Sequence, residues 1–268
     1  MSVQIFLVLV LTFIINLIST LSYSVRIVGI RTRKIAISFA LFNIMVLVSR
    51  TSNSFQAPLL AKWIEKNINL GINPGTFEFQ LILFTTTLAT LIGSLLIPTF
   101  QRLFSKAVMR FSVEKSVPKL LLLAFSKGGL RQILADVKLP DRGNFKVSTH
   151  KKVPNFPVRI FIFNILASAI LAVGVLSSLY AGFINPDLRT TSSTLSSIVN
   201  GLATILMFMF IDPHLSALTD DVIEGKYSDI DFRKAVRLMV LSRFIGTMLA
   251  QLLLVPFAKF IAWVAGII

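Results

Sequence analysis

The sequence predicts an all-α integral membrane protein with about six transmembrane helices. The chain has 268 residues, of which 54% are hydrophobic and only 15% are charged, and its mean hydropathy is +0.79. Soluble domains carry about 25% charged residues. Six apolar segments are each at least about 19 residues long, which is enough for a helix to cross a bilayer. These observations favour one polytopic membrane domain that covers residues 1–268.

The six apolar segments are separated by four shorter connections and one long one. They run from Val3 to Tyr23, Ile35 to Leu60, Phe79 to Phe104, Val158 to Ile184, Ser193 to Ile211 and Ala235 to Phe257. The first charge in the chain is Arg26, so the first segment lacks the basic start of a cleavable signal peptide and we expect a retained helix. Residues 259–268 either extend the sixth helix past Pro256 or lie at the membrane interface.

The distribution of positive charge predicts how the helices are oriented. Eighteen Lys and Arg residues fall in the loops after the first, third and fifth segments, whereas four fall on the opposite side. Cytoplasmic loops carry the excess of Lys and Arg in membrane proteins. Both termini are therefore predicted to lie outside. The same alternation accounts for the net charge of +15 without a nucleic-acid partner.

Residues 105–157 form a long, basic connection that is predicted to be cytoplasmic. Eleven of its residues are Lys or Arg. Its stretch from Ser112 to Leu134 mixes apolar and basic side chains, which predicts one or two amphipathic helices on an anionic leaflet. Gly128 and Gly129 would separate the two. The alternative is a loop whose charge only sets the topology.

The composition argues against an enzyme. The chain has no Cys, which excludes a disulfide, a thiolate nucleophile and a Cys-ligated metal. It has only two His residues, and none of the common hydrolase, metalloprotease or phosphate-loop motifs occurs. We therefore predict no catalytic residues, no metal site and no cofactor.

Two arginines are predicted to lie well inside the membrane. Arg50 is sixteen positions past Lys34, or about 24 Å along a helix, and Arg243 is nine positions past Lys234, or about 13 Å. A charge at such depth costs at least about 2.5–3.5 kcal/mol. Neither arginine has an acidic partner at its depth. We therefore expect the rest of the protein to surround the polar stretch Ser49–Pro58. The alternative is that each arginine side chain bonds to backbone carbonyls or extends to a membrane interface.

Neutral polar residues accompany both arginines. Three lie on the same side of the second helix as Arg50: Asn43, Asn53 and Ser54. Two follow Arg243 at i+4 and i+8: Thr247 and Gln251. Such stripes suit a hydrated cavity, and hydrogen bonding between helices is the alternative for any single residue.

An acidic turn follows the fifth segment. Asp212 precedes Pro213, which predicts a helix boundary. Six of the twelve acidic residues lie between Asp212 and Asp231. The turn is either a salt-bridged clasp with the basic loops that acts as a gate, or a solvated turn.

Several strings of residues resemble a known family. In the first half of the chain they are Leu21-Ser22-Tyr23-Ser24-Val25-Arg26, Arg31-Thr32-Arg33-Lys34, Leu41-Phe42-Asn43, Val48-Ser49-Arg50-Thr51 and Gln56-Ala57-Pro58-Leu59-Leu60. In the second half they are Asp212-Pro213 and Leu218-Thr219-Asp220-Asp221-Val222-Ile223-Glu224-Gly225-Lys226. Over its whole length the chain resembles the Amj family of bacterial lipid II flippases, which work as an alternative to the MurJ flippases.

The resemblance implies a function in the bacterial cell membrane. A multi-pass flippase of this family moves lipid II, the undecaprenyl-diphosphate-linked disaccharide pentapeptide, from the inner to the outer leaflet for peptidoglycan synthesis. Two other classes stay open for the residues alone. One is a transporter of another anionic lipid or solute, and the other is a membrane scaffold protein of cell-envelope assembly.

The implied substrate suggests roles for the candidate residues, since arginine suits bidentate contact with a phosphate. The diphosphate would be held in a hydrated cavity by Arg50 and Arg243. The remaining substrate contacts would come from Asn43, Asn53, Gln56 and Gln251. The headgroup would be gathered at the inner leaflet by Arg26, Arg31 and Arg33, and the gate would be formed by Asp212 and His214. The expected partners are lipid II, anionic membrane lipids and a second copy of the chain, because six helices are few for a large headgroup.

Overall fold

The computed structural model describes residues 2–72, 75–116 and 156–268, together with residues 119 and 126. Five of its helices are long and continuous: α1 (Val3–Thr32), α2 (Ile35–Asn69), α3 (Phe77–Glu114), α4 (Val158–Ile184) and α8 (Asp229–Ile267). The shorter helices α5 to α7 lie between α4 and α8 and are described below. With the composite fifth span (Pro186–Ile223), six helices are long and apolar enough to cross a membrane. The prediction of an all-α chain with six spans is confirmed.

The fifth span is a series of short helical pieces. A 3-10 turn (Pro186–Leu188), α5 (Arg189–Thr194), α6 (Ser196–Leu206), a π-helix (Met207–Ile211) and α7 (Asp212–Ile223) follow one another. A helix boundary falls at Asp212 as predicted, but the chain stays helical across it. Pro213 in the first turn of α7 has no N–H to donate to the preceding turn, and the helix is wound as a π-helix directly before α7.

Several helices are longer than their apolar segments. α2 continues past Pro58 to Asn69, and α3 continues past Pro98 to Glu114, so the first ten residues of the predicted loop 105–157 are helical. α8 continues through Pro256, which settles that the last residues extend the sixth helix. A membrane helix tolerates proline because neighbouring groups satisfy the freed backbone. Most of the predicted amphipathic segment Ser112–Leu134 lies outside the described residues.

Four helices form the centre and two spans flank it. α1 packs along α3, α3 packs along α8, and α8 packs closely along α4. α2 lies mainly against α1, and the fifth span lies mainly against α4. In the most apolar stretch of each helix, 33–50% of the residues of α1, α3, α4 and α8 are buried, against 22% for the two flanking spans.

Apolar side chains fill the two ends of this centre, which we call outer and cytoplasmic after the predicted orientation. At the outer end, Trp63 and Phe79 stack edge to face, and Tyr180 packs against Phe79 in the same way. At the cytoplasmic end, Phe232 and Met239 are fully buried beside the fifth span. Between these two clusters, α1, α3 and α8 carry the buried polar residues Thr12, Thr86, Thr87, Arg243 and Thr247.

Candidate functional site

Arg243 lies in a buried polar layer between α1, α3 and α8. Its side chain is 8% exposed, and Nη2 donates to Oδ1 of Asn16 at 3.3 Å. The Asn16 amide donates to the carbonyl oxygen of Thr12 at 2.9 Å and to Oγ1 of Thr86 at 3.3 Å. Gln56 reaches in from α2 and donates from Nε2 to Oγ1 of Thr12 at 2.8 Å. Arg243 and Gln56, both predicted site residues, are thus joined through two residues of α1.

The charge of Arg243 has no carboxylate beside it. The sequence contains no Asp or Glu in residues 1–64, 79–113, 188–211 or 232–268. Among the described residues, Nε of Arg243 has no hydrogen-bond partner. A buried, incompletely bonded guanidinium is unfavourable unless something else supplies negative charge or further acceptors.

The stripe that follows Arg243 on α8 also points inward. Gln251 donates from Nε2 to Oγ1 of Thr87 at 3.1 Å, and Thr87 donates to the carbonyl oxygen of Thr247 at 3.2 Å. Gln80 completes this contact by donating to the carbonyl oxygen of Gln251 at 3.0 Å. These bonds join α3 to α8, so the predicted stripe faces a neighbouring helix.

A second hydrogen-bonded group lies on the cytoplasmic side of Arg243. Oη of Tyr23 donates to Oδ1 of Asn164 at 3.0 Å. Nδ2 of Asn164 donates to the carbonyl oxygen of Met239 at 2.9 Å and to Oγ of Ser242 at 2.7 Å. The sequence analysis assigned no site role to Asn164, Tyr23, Ser242 or Thr12, because a single amide or hydroxyl in an apolar segment gives no signal of its partner.

The surroundings of Arg50 differ from the expectation. Arg50 is exposed on α2, and so are three of its predicted neighbours: Asn43, Asn53 and Ser54. No described residue hydrogen bonds to the guanidinium of Arg50 or forms an ion pair with it. The expectation that the protein surrounds this stretch is therefore wrong for the chain by itself. The reason is that α2 is a flanking helix, which buries only its face toward α1.

Arg50 and Arg243 nevertheless lie at similar depth. The contact between Gln56 and Thr12 fixes the register of the antiparallel helices α2 and α1. Arg50 lies six residues, or about 9 Å, to the cytoplasmic side of Gln56. Asn16, the partner of Arg243, lies four residues, or about 6 Å, to the cytoplasmic side of Thr12. One arginine thus lies inside the helix bundle and the other outside it in the same layer.

Arg26 joins three helices at the cytoplasmic end. Its Nη1 donates to Oγ of Ser216 at 2.9 Å, and its Nη2 lies 3.6 Å from Oδ1 of Asp212. The same guanidinium lies 5.2 Å from the ring centre of Phe39 on α2. Asp212, a predicted gate residue, is thereby brought to Arg26, which was predicted to gather the headgroup.

The other predicted residues of this end are less closely connected. The ring of His214 packs edge to face on Phe156 at 5.8 Å, and its buried Nε2 has no hydrogen-bond partner among the described residues. Arg31 and Arg33 are exposed where α1 ends. No group of His, Asp and Glu that could hold a metal ion occurs in the part of the chain that the structure describes.

Comparison with known proteins gives two matches that cover nearly the whole chain. The sequence model of a family described as Amj, alternate to MurJ, matches residues 11–265. The chain is 37% identical over 261 residues to a protein named Lipid II flippase Amj from Bacillus subtilis (strain 168), with 97% of this chain and 96% of that relative covered. No solved structure matches the chain. The matched region reaches into all six spans.

Proposed function

Because the chain belongs to the Amj family, we propose that it is a lipid II flippase of the cell membrane. Its substrate is the undecaprenyl-diphosphate-linked peptidoglycan precursor, which it moves from the inner to the outer leaflet. The polyprenyl tail stays in the lipid while the headgroup crosses. The substrate is moved without covalent change, so the protein is a transporter and needs no cofactor.

The observation that carries the proposed site is a positive charge without a protein counter-charge. Arg243 is 92% buried and has an unpartnered Nε among the described residues, and the chain has no Asp or Glu in residues 1–64, 79–113, 142–186 or 232–268, which make up the membrane-depth parts of the four central helices. A diphosphate supplies the missing negative charge, and a guanidinium binds it with two parallel hydrogen bonds. A protein that only needed stability here would gain more from an apolar residue.

The neutral polar residues around Arg243 suit the rest of a headgroup. Asn16 and Gln56 present amides from α1 and α2, and Gln251 presents another from α8. Amides both donate and accept, so they can exchange their present partners for sugar hydroxyls or peptide groups. Arg50 offers a second contact of the same kind at the same depth on the membrane side of α2, with Asn53 beside it and Asn43 about 10 Å away along the helix.

The exposed arginines at the cytoplasmic end suit the gathering of an anionic headgroup. Arg31 and Arg33 lie where a lipid phosphate of the inner leaflet would meet α1. The same basic surface would contact anionic lipids in general. A homodimer stays a separate prediction that no observation here tests.

The proposed function is tested with purified protein in vesicles that contain lipid II. Transbilayer movement is measured as lipid II that becomes accessible to an outside enzyme. We expect movement with the unchanged protein, a loss of at least about tenfold with Arg243→Gln, and nearly full activity with Arg237→Gln. Arg237 is the matched control, because it is an exposed arginine six residues earlier on the same helix.

The outcomes separate the function from the site. If the wild-type protein moves another anionic lipid but not lipid II, that other lipid is the substrate. If the Arg243→Gln variant is as active as the wild-type protein, the flippase function stands but Arg243 is not part of its substrate site. Inactivity toward every lipid tested would favour the membrane scaffold.

A further inference from the structure

One face of α2 carries Phe39, Arg50 and Glu65. Phe39 precedes Arg50 by eleven residues, or about three turns, so the two lie on nearly one line. Glu65 is displaced from this line by about 60°. The contacts of Phe39 and Glu65, at the two ends of α2, therefore show toward which part of the protein the Arg50 face is turned.

Both ends of this face are tied to the fifth span. At the cytoplasmic end, Arg26 contacts Phe39 and holds Asp212 of α7 at 3.6 Å. At the outer end, Oε1 of Glu65 lies 3.3 Å from Nη2 of Arg189, the first residue of α5. Between these two ties, α2 and the fifth span share no extended packing among the described residues. We call this gap the α2 seam.

The floor of the α2 seam is a polar face of α1. Thr12, Ser19 and Arg26 follow one another at intervals of seven residues and therefore share one face. Thr12 accepts the bond from Gln56 at one end, and Arg26 binds the fifth span at the other. Ser19 lies between them and is only partly buried. Hydroxyl and guanidinium groups thus follow the seam along about 21 Å of α1, from Thr12 to Arg26.

We propose that the α2 seam is the route of the lipid headgroup, closed on the inside by Arg26 with Asp212 and on the outside by Glu65 with Arg189. This inference rests on the proposed function and adds the path and its two closures. The diphosphate of an arriving lipid replaces Asp212 as the partner of Arg26 and opens the inner closure. It then reaches the layer of Arg50 and Arg243, and the outer closure opens to release it.

The geometry of both closures suits repeated opening. The inner ion pair is long at 3.6 Å, and a diphosphate offers Arg26 more charge and a bidentate contact. The side chains of Glu65 and Arg189 are 51% and 41% exposed, and ion pairs that exposed add little to stability. Either closure can therefore open while the packed helices α1, α3, α4 and α8 stay together.

A second copy of the chain fits this face less well than an anionic lipid. A symmetric interface centred on α2 would bring Arg50 of both copies together. No carboxylate lies at that depth on either copy to separate the two charges. A lipid diphosphate instead supplies the charge that Arg50 lacks.

The test locks each closure with a reducible cross-link. The chain has no Cys, so each double variant carries only the two thiols introduced. Ala36→Cys with Ala217→Cys spans the inner closure, and Asn69→Cys with Thr190→Cys spans the outer one. All four positions are exposed and adjoin a closure. A bifunctional thiosulfonate of about 10 Å joins each pair, and lipid II movement in vesicles is measured before and after reduction.

We expect each cross-link to lower lipid II movement at least tenfold, with recovery after reduction and no effect of the reagent on single-Cys variants. Full activity in both cross-linked proteins overturns the route while wild-type movement of lipid II still supports the proposed function. A wild-type protein that moves no lipid II overturns the function itself. A cross-linked product of twice the chain mass identifies a second copy in the seam and also overturns the route.

If a double variant is inactive before cross-linking, a second pair tests the same closure. Thr190→Cys is then paired with Lys66→Cys on the outside, and Ala217→Cys with Ala40→Cys on the inside. These positions are also exposed. The same tenfold, reducible loss is expected, and its absence in both pairs of a closure overturns that closure.

Discussion

At the scale of one residue, Arg243 is a buried charge for which we propose a ligand as the missing partner. Its described hydrogen bond goes to a neutral amide, Oδ1 of Asn16, and its Nε has no partner among the described residues. In a low-dielectric interior, such an arrangement costs free energy compared with a neutral side chain of similar size. A residue kept at that cost is better explained by binding than by packing.

We therefore predict that Arg243→Gln makes the protein more stable while it abolishes transport. Glutamine keeps an amide that can donate to Asn16 and removes the buried charge. We expect the midpoint of thermal unfolding in detergent to rise by about 2–4 °C, the shift that about 1 kcal/mol produces in a chain of this size. Arg237→Gln should shift it by less than about 1 °C. A fall in the midpoint for Arg243→Gln would mean that the arginine holds the fold together.

Among the helices, the π-helix of the fifth span decides where Asp212 points. A π-turn takes up one extra residue compared with an α-turn, so it rotates the following helix by about 100°. Asp212 and Ser216 of α7 are consequently turned to the guanidinium of Arg26. An uninterrupted α-helix through residues 207–211 would carry both side chains away from it.

The close contact of α8 with α4 depends on glycine. A Cβ on Gly246 would lie 2.5 Å from the carbonyl oxygen of Ile165 and 2.8 Å from Cβ of Ser168. Glycine costs a helix about 1 kcal/mol relative to alanine, so this position accepts poor helix propensity in exchange for close approach. The approach brings Ser242 to Asn164, next to the site residue Arg243.

Substituting two glycines by alanine should thus give opposite results. Gly246→Ala should destabilise the protein by about 1–3 kcal/mol, because the added methyl group meets backbone. Gly201→Ala, in α6, meets nothing within 4 Å and should stabilise by up to about 1 kcal/mol. Unfolding of both variants in detergent checks the signs. Equal effects would mean that α8 and α4 can separate without cost.

For the whole molecule, alternating basic loops predict that both termini lie outside the cell. Since the chain contains no Cys, single thiols can report the side of each position. We expect Ser2→Cys and Ile268→Cys to react with a membrane-impermeant maleimide in intact cells. Lys115→Cys, at the cytoplasmic end of α3, should react only after the cells are opened. Labelling of Lys115→Cys in intact cells would reverse the orientation and with it the direction of both closures.

The fold was largely predictable because a membrane span is a local property. Twenty apolar residues are enough to define a spanning helix, and the loop charges between them predict its orientation. The helix ends were predicted less well, since α3 continues as a polar helix to Glu114 and α8 extends past both ends of its apolar segment. Apolarity marks the part of a helix that lies in lipid and gives no information on where the helix stops.

By itself the sequence determined that this is a six-span helical protein with two arginines at membrane depth and no acid to pair with them. Only the tertiary structure decided that Arg243 is buried and Arg50 exposed. Burial depends on which helices become neighbours, and those contacts join residues far apart in the chain, such as Asn16 and Arg243, which are 227 positions apart. The pairing of Arg26 with Asp212 has the same origin, because hydrophobic periodicity reports that a helix has a buried face but not which side chain meets it.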